Sequence, residues 1–173
     1  MVVVVGCAVV ALSGVRGADY PAHELRAVLW DDAGAAVWNN YWYGGHATPS
    51  YSVIVPPMVA AIGAVAVCIV SSIIATYCFA RLIHSLMVSR SAMLGGVVFA
   101  LAAVVNVVVG RTAFAVGLAL GLAAMWAWRQ GRSAAALLLA VLTPLASPVA
   151  SIAEAKSCVG VRPRNSPMPP RIT

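Results

Sequence analysis

The chain has 173 residues, of which 62% are hydrophobic and 9% charged, with a formal net charge of +6 and a mean hydropathy of +0.92. A soluble domain carries about 25% charged residues, so these few charges cannot cover the surface of a water-soluble globule, and a disordered or collagen-like chain is excluded with it. The composition predicts an all-α integral membrane helical bundle of four to five transmembrane helices, with one interfacial amphipathic helix.

Residues 1–15, MVVVVGCAVVALSGV, form the first apolar run. It is shorter than the ~20 residues a spanning helix needs. It resembles a signal-peptide core with a small-residue site at Ala11–Ser13, but no Lys or Arg precedes it, and an uncleaved first span is the better reading. Residues 16–56 differ in kind. They hold Asp19, Glu24, Asp31 and Asp32, both His23 and His46, and many of the aromatics, among them Trp30, Trp38, Tyr41 and Tyr51. Aromatic rings with one polar atom collect at membrane–water interfaces. Leu25, Val28, Leu29, Ala36, Val37 and Tyr41 recur at roughly helical spacing, so an amphipathic helix on the membrane surface is predicted from His23 to about Trp42. Gly44 to Ser50 is turn chemistry.

Residues 57–153 supply the remaining spans. No Asp, Glu, Lys or Arg lies between Ala33 and Ala80, and the second span is predicted over Pro57–Ala80, entered through Pro56-Pro57. The third is predicted over Ser91–Val109 and the fourth over Thr112–Trp128. Read as one helix, residues 92–128 would reach about 55 Å, too long for a ~30 Å hydrocarbon core. Gly110-Arg111 must therefore be a tight turn. A fifth run, Ser133–Ala153, carries Pro144 and Pro148, which should kink or break it. Residues 154–173 are basic, proline-rich and without helical period, as a disordered tail is.

The arginines stand between apolar runs, at Arg81, Arg90, Arg111, Arg129 and Arg132. That is the pattern of helix-end anchors and topology signals, not of nucleic-acid binding. With the amino terminus inside, the connectors 81–90 and 129–132 are cytoplasmic and the aromatic loop is extracytoplasmic, in a multi-pass protein of the cell membrane. Cys7, Cys68 and Cys78 lie in apolar runs without C-x-x-C spacing and read as buried thiols.

Asp31 and Asp32 are the candidate catalytic residues, as general base or as metal ligands, although adjacent helical residues point ~100° apart. A solvated polar face of the surface helix is the plainer account of them. His23 and His46 lack any metal-ligand spacing, and no metal site is assigned. Arg111 is the candidate lipid-phosphate contact, because a guanidinium presents a donor fork to phosphate, although an Arg between two apolar runs more often snorkels to the headgroups. Asn106 is unusual in so apolar a run and suits an interhelical hydrogen bond. Ala113, Gly117 and Gly121 form a small-residue face that permits close helix packing or helix–helix association.

Three stretches carry a family resemblance. Asn39–Pro57, NNYWYGGHATPSYSVIVPP, resembles the GGH-x-x-PGYS…PP stretch of large actinobacterial integral membrane proteins of undefined function. Asn106–Gly117, NVVVGRTAFAVG, resembles their N…GR-x-TFALG, and Leu145–Ala150 resembles their LASPVAG. Ser50 stands where the pattern has glycine. Those proteins are longer and similar in layout to GT-C polyprenol-linked glycosyltransferases. The resemblance implies that this chain is a truncated amino-terminal part, with a polyprenol-phosphate lipid as partner and a catalytic acid in the first extracytoplasmic loop, at Asp31 or Asp32 by position. The reading is thus an integral membrane protein without a catalytic signature, or a lipid-linked sugar transferase or its amino-terminal part. A transporter ranks third, since its coupling charges would be expected inside the spans. The lipid bilayer is the common partner, and the sequence names no cofactor.

Overall fold

The structure is a computed structural model and describes residues 1–34, 38–39, 45–46, 48–49, 51–86 and 90–150. Its helices, in order, are α1 (Val2–Ser13), α2 (Tyr20–Ala33), α3 (Val55–Ile62), α4 (Ala64–Leu86), α5 (Arg90–Val109), α6 (Thr112–Arg129) and α7 (Ser133–Ala146). A two-residue antiparallel ladder between α2 and α3 pairs Trp38 with Pro49 and Asn39 with Thr48, as β1 and β2.

The bundle is built on the α4–α6 pair. α7 packs on the outer side of α6, α5 lies against α4, and α1 lies against α5. Small residues make the centre: Ala64, Cys68, Ala75, Ala113, Ala115 and Ala119 are all buried. Such side chains let helix backbones approach closely, which is how helices associate where lipid removes the hydrophobic drive between them. The outward faces are large and apolar, with Val98, Leu101 and Val105 on α5 and Leu137, Leu138 and Val141 on α7 all exposed. A water-soluble protein buries such residues, and a bilayer solvates them.

Among the described residues three helices, α4, α5 and α6, are long and apolar enough to cross a membrane. The chain is a multi-pass helical membrane protein by this measure, with three such spans where four to five were predicted. The apolar runs at either end form shorter helices. α1 has 12 residues and α7 has 14, which is about 18 and 21 Å of helix, short of a ~30 Å core. α1 belongs to the bundle, burying Val3, Cys7 and Val10.

Several boundaries differ from the sequence expectation. The predicted second span is two helices, because Gly63 adopts φ +84° and interrupts the run after α3. The spanning helix proper starts at Ala64 and continues past Arg81 to Leu86, since a long Arg side chain reaches outward without ending a helix. The surface helix begins at Tyr20 and stops at Ala33, short of Trp42. Its buried face is Tyr20, His23 and Ala27, while Leu25 and Val28 point outward. The fifth run breaks as its prolines require. Pro144 lies within α7, and Ser147, the residue before Pro148, is extended at φ −156°, ψ 111°, as proline imposes on its predecessor. The tail expectation for 154–173 lies outside the described residues.

α4 and α6 run parallel, with the Thr112 hydroxyl donating to the Ala64 carbonyl at one end (3.3 Å) and Arg129 Nη2 donating to the Ser85 carbonyl at the other (3.4 Å). α5 is antiparallel to α4, with Phe79 stacked on Phe99 at 4.2 Å. Gly110-Arg111 is the tight turn between α5 and α6, with φ +91° at Gly110. One end of the bundle therefore carries Arg81, His84, Arg90, Arg129 and Arg132, and the other carries α2, α3, Arg111 and the α7 break.

Candidate functional site

The α2 end gathers most of the polar chemistry. Asp19 and Tyr20 fasten the start of α2 to the end of α5. The Asp19 amide donates to the Val109 carbonyl (3.3 Å), and the buried Tyr20 hydroxyl donates to the Val107 carbonyl (2.6 Å). The chain passes so close here that a Cβ on Gly17 would run into the Val109 carbonyl. This tie brings Asp19 next to the α5–α6 turn, where its Oδ2 lies 4.0 Å from Arg111 Nε. Both side chains are at least half exposed. A pair at that distance and exposure is weak, so Arg111 keeps most of its donor fork. Beside it, Arg16 and Glu24 pair at 2.8 Å, also exposed.

Tyr51 to Val53 dock on the α7 break. The Val53 amide (2.9 Å) and the Ser52 hydroxyl (3.3 Å) both donate to the Leu145 carbonyl, and the Tyr51 and Ser147 hydroxyls are hydrogen-bonded at 3.0 Å. The Arg26 guanidinium lies 5.9 Å from the Tyr51 ring centre. Gly117 closes the group from α6. A Cβ there would stand 2.7 Å from the Ala150 Cβ and 2.9 Å from the Ser147 Cβ. Ala113 and Gly121 are buried on the same helix. Residues from the three stretches quoted above, at Tyr51, Gly117 and Ser147, thus meet in one place.

His23 is 7% exposed. Burial pushes its imidazole down to about 4, the nearby Arg26 charge adds to that, and Asp19 opposes it. His23 is therefore neutral at pH 7 and neither a cation nor an exposed proton relay. Burial raises the Tyr20 phenol well above its ordinary value, with Cys68 contributing, and it acts as a hydrogen-bond donor only. His46 is exposed in the loop.

The candidate site residues divide into separate places. Asp31 and Asp32 are exposed near the far end of α2. Asp31 lies twelve residues beyond Asp19, about 18 Å along the helix at ~1.5 Å per residue. The acid that the structure brings to Arg111 is Asp19, which the sequence ranks behind the paired aspartates. Tyr20 carries no sequence signal of its own, and Ser147 is marked only by the Leu145–Ala150 stretch, because their partners are remote in the chain. Among the described residues, no three His, Cys, Asp or Glu side chains are grouped to hold a metal ion.

A groove of about 320 Å³ opens between α5 and α6. These helices are joined by a two-residue turn yet barely touch along their length. Phe99, Val105 and Phe114 line the groove's apolar part, Asn106 and Arg111 its polar end, and Ser72 of α4 its floor. No family model matches the chain, and no curated protein or solved structure matches it.

Proposed function

We propose that this chain is a cell-membrane protein without a catalytic centre of its own, which engages the phosphate of a membrane lipid at the α2 end through Arg111. The observation that carries this reading is the position of Arg111. It is exposed at the α5–α6 turn, at the polar end of a lateral groove, and its guanidinium is paired with Asp19 by a long 4.0 Å contact. The orientation places α2 outside and the arginine-rich end inside, in keeping with the excess of Arg on cytoplasmic connectors. Two measurements test this. His46→Cys, in a background lacking native cysteines, should be labelled only from the extracytoplasmic side and Ser133→Cys only from the cytoplasmic side. Protein purified in mild detergent should retain an anionic lipid by native mass spectrometry, and Arg111→Gln should lose it. Labelling on the opposite sides would overturn the orientation, and equal retention by the variant would overturn the role of Arg111.

The second reading is the amino-terminal part of a lipid-linked sugar transferase of GT-C layout, with a polyprenol phosphate as the lipid and Asp31 or Asp32 as the acid. Its support is the meeting of Tyr51, Gly117 and Ser147, which gives the three resembling stretches a common structural reason. Against it stands the separation of Asp31 from Arg111. Sugar transfer from a polyprenol-phosphate donor in membranes decides it. Turnover abolished by Asp31→Asn or Asp32→Asn would favour the transferase, and turnover indifferent to both would remove these aspartates from any mechanism.

A further inference from the structure

We propose that the α5–α6 groove binds one ester-linked anionic glycerophospholipid, its phosphate on Arg111, its ester carbonyls on Asn106 and Ser72, and one acyl chain along Phe99 and Leu118. The proposal rests on the reading of Arg111 as a lipid-phosphate contact and adds the class of lipid.

The groove has the length and polarity profile of one leaflet. From Val109 to Phe99 is about 15 Å of helix, half of a ~30 Å hydrocarbon core. Arg111 lies at the headgroup end and Phe99 near mid-depth. The groove's polar groups are not confined to the headgroup level. Asn106 lies five residues before Arg111, about 6–8 Å deeper. Its Nδ2 makes only a 3.5 Å contact to the Arg111 carbonyl. Ser72 faces the same depth, because the Phe79–Phe99 stack sets a register between antiparallel α4 and α5 that puts residue 72 opposite residue 106. The Ser72 hydroxyl is buried, makes no hydrogen bond to oxygen or nitrogen among the described residues, and has the weakly accepting Cys68 thiol beside it. A buried hydroxyl without a strong partner costs free energy that an acceptor in the groove would return.

Ser72 and Asn106 thus offer two donors below a cation in an otherwise apolar slot. The glycerol ester carbonyls of a phospholipid are acceptors placed a few bonds below its phosphate. A polyprenyl phosphate has hydrocarbon at that depth and would leave both donors unmet. A zwitterionic headgroup brings its own cation to Arg111, so the anionic class is favoured.

The test measures binding of four probes to the purified full chain in mild detergent: dioleoyl phosphatidylglycerol, its diether analogue, a polyprenyl phosphate and dioleoyl phosphatidylcholine. The diester phosphatidylglycerol should bind about tenfold tighter than its diether analogue and tighter than the other two. Ser72→Ala combined with Asn106→Leu should erase the diester preference. Ala102→Trp, which fills the groove from the exposed face of α5 and leaves Arg111, Asn106 and Ser72 in the sequence, should abolish binding and serves if the double variant does not fold. Equal binding of diester and diether by the parent protein, with dependence on Arg111 kept, would overturn the ester contact and leave the phosphate reading standing. Binding of every anionic probe unchanged by Arg111→Gln would overturn both.

Discussion

The two ends of this bundle are held by different means. At the α2 end, irregular backbone is tied to helices far away in sequence by buried or half-buried hydrogen bonds: Tyr20 to Val107, Val53 and Ser52 to Leu145, Tyr51 to Ser147. At the arginine-rich end the chain turns locally. The Arg132 amide returns to the Ala127 carbonyl, and Arg81 lies 5.9 Å from the Trp126 ring centre. The first kind of end is specified by shape, since each donor needs one acceptor at one place. The second is specified largely by charge, with the exposed hydrogen bond from Arg129 to the Ser85 carbonyl (3.4 Å) as a looser tie. A shaped end can hold a ligand, while a charged end sets orientation in the membrane. Substitutions at the α2 end should therefore be costly and those at the arginine-rich end cheap.

The largest expected effect is at Gly17. Because a Cβ there meets backbone rather than a movable side chain, Gly17→Val should destabilise by about 3 kcal/mol or more. Gly96 is the opposite case. It lies in helical α5 with nothing within 4 Å of an added Cβ, and Gly96→Ala should gain about 0.5–1 kcal/mol from helix propensity. Thermal unfolding in one detergent measures both. A Gly17 variant as stable as the parent would break the comparison at its strongest point.

His23 sharpens the comparison through pH. The imidazole titrates near 4 in the folded chain against an ordinary 6.5, chiefly because it is buried. The fold thus prefers the neutral form. Its contribution is complete above about pH 6.5 and is lost as the pH falls towards 4, by up to about 3 kcal/mol. His23→Gln should remove that part of the acid sensitivity, so that the difference in melting temperature between parent and variant narrows from pH 7 to pH 4.5. A difference constant over that range would mean that His23 does not control the α2 end.

Tyr20 and Tyr77 form a matched pair with smaller effects. Tyr20→Phe leaves the buried Val107 carbonyl without its donor and should cost about 1–2 kcal/mol. Tyr77 is 54% exposed and touches Trp126 only edge to ring, at 5.8 Å. Tyr77→Phe should stay within about 0.5 kcal/mol. Equal losses in the two thermal transitions would show that hydrogen bonds at the α2 end are not what distinguishes it.

The same division governs what could be read from the sequence. Membership of the long spans was legible, because hydrocarbon excludes charge and the charge-free runs mark them. The Gly110-Arg111 turn followed from length alone, and the break near Pro148 from proline stereochemistry. The interruption at Gly63 was not legible, since no charge or change of hydropathy accompanies it. Nor was the buried face of α2. Leu25 and Val28 supplied the apolar period but face outward, because in a membrane protein such a period can address lipid instead of a protein core. The Tyr51–Ser147 contact joins residues 96 apart in sequence, and the place of Asp19 beside Arg111 depends on the Tyr20 tie. Distant pairings of this kind have no local signature, and they are what builds the candidate site.

The smallest effect belongs to Arg81. Its guanidinium sits over Trp126 on the exposed surface of α4, where such a contact gives about 0.5–1 kcal/mol. Arg90, Arg129 and Arg132 lie at the same end of the bundle and keep that end positive when one charge is removed. Arg81→Gln should therefore lower stability by less than about 1 kcal/mol and leave the labelling pattern of His46→Cys unchanged. Only when several of these arginines are replaced together should the labelling become mixed between the two sides, because orientation follows the summed bias while each contact is weak. A large loss of stability from Arg81→Gln alone would give this end a shaped contact of the kind found at α2, and the contrast between the ends would fall.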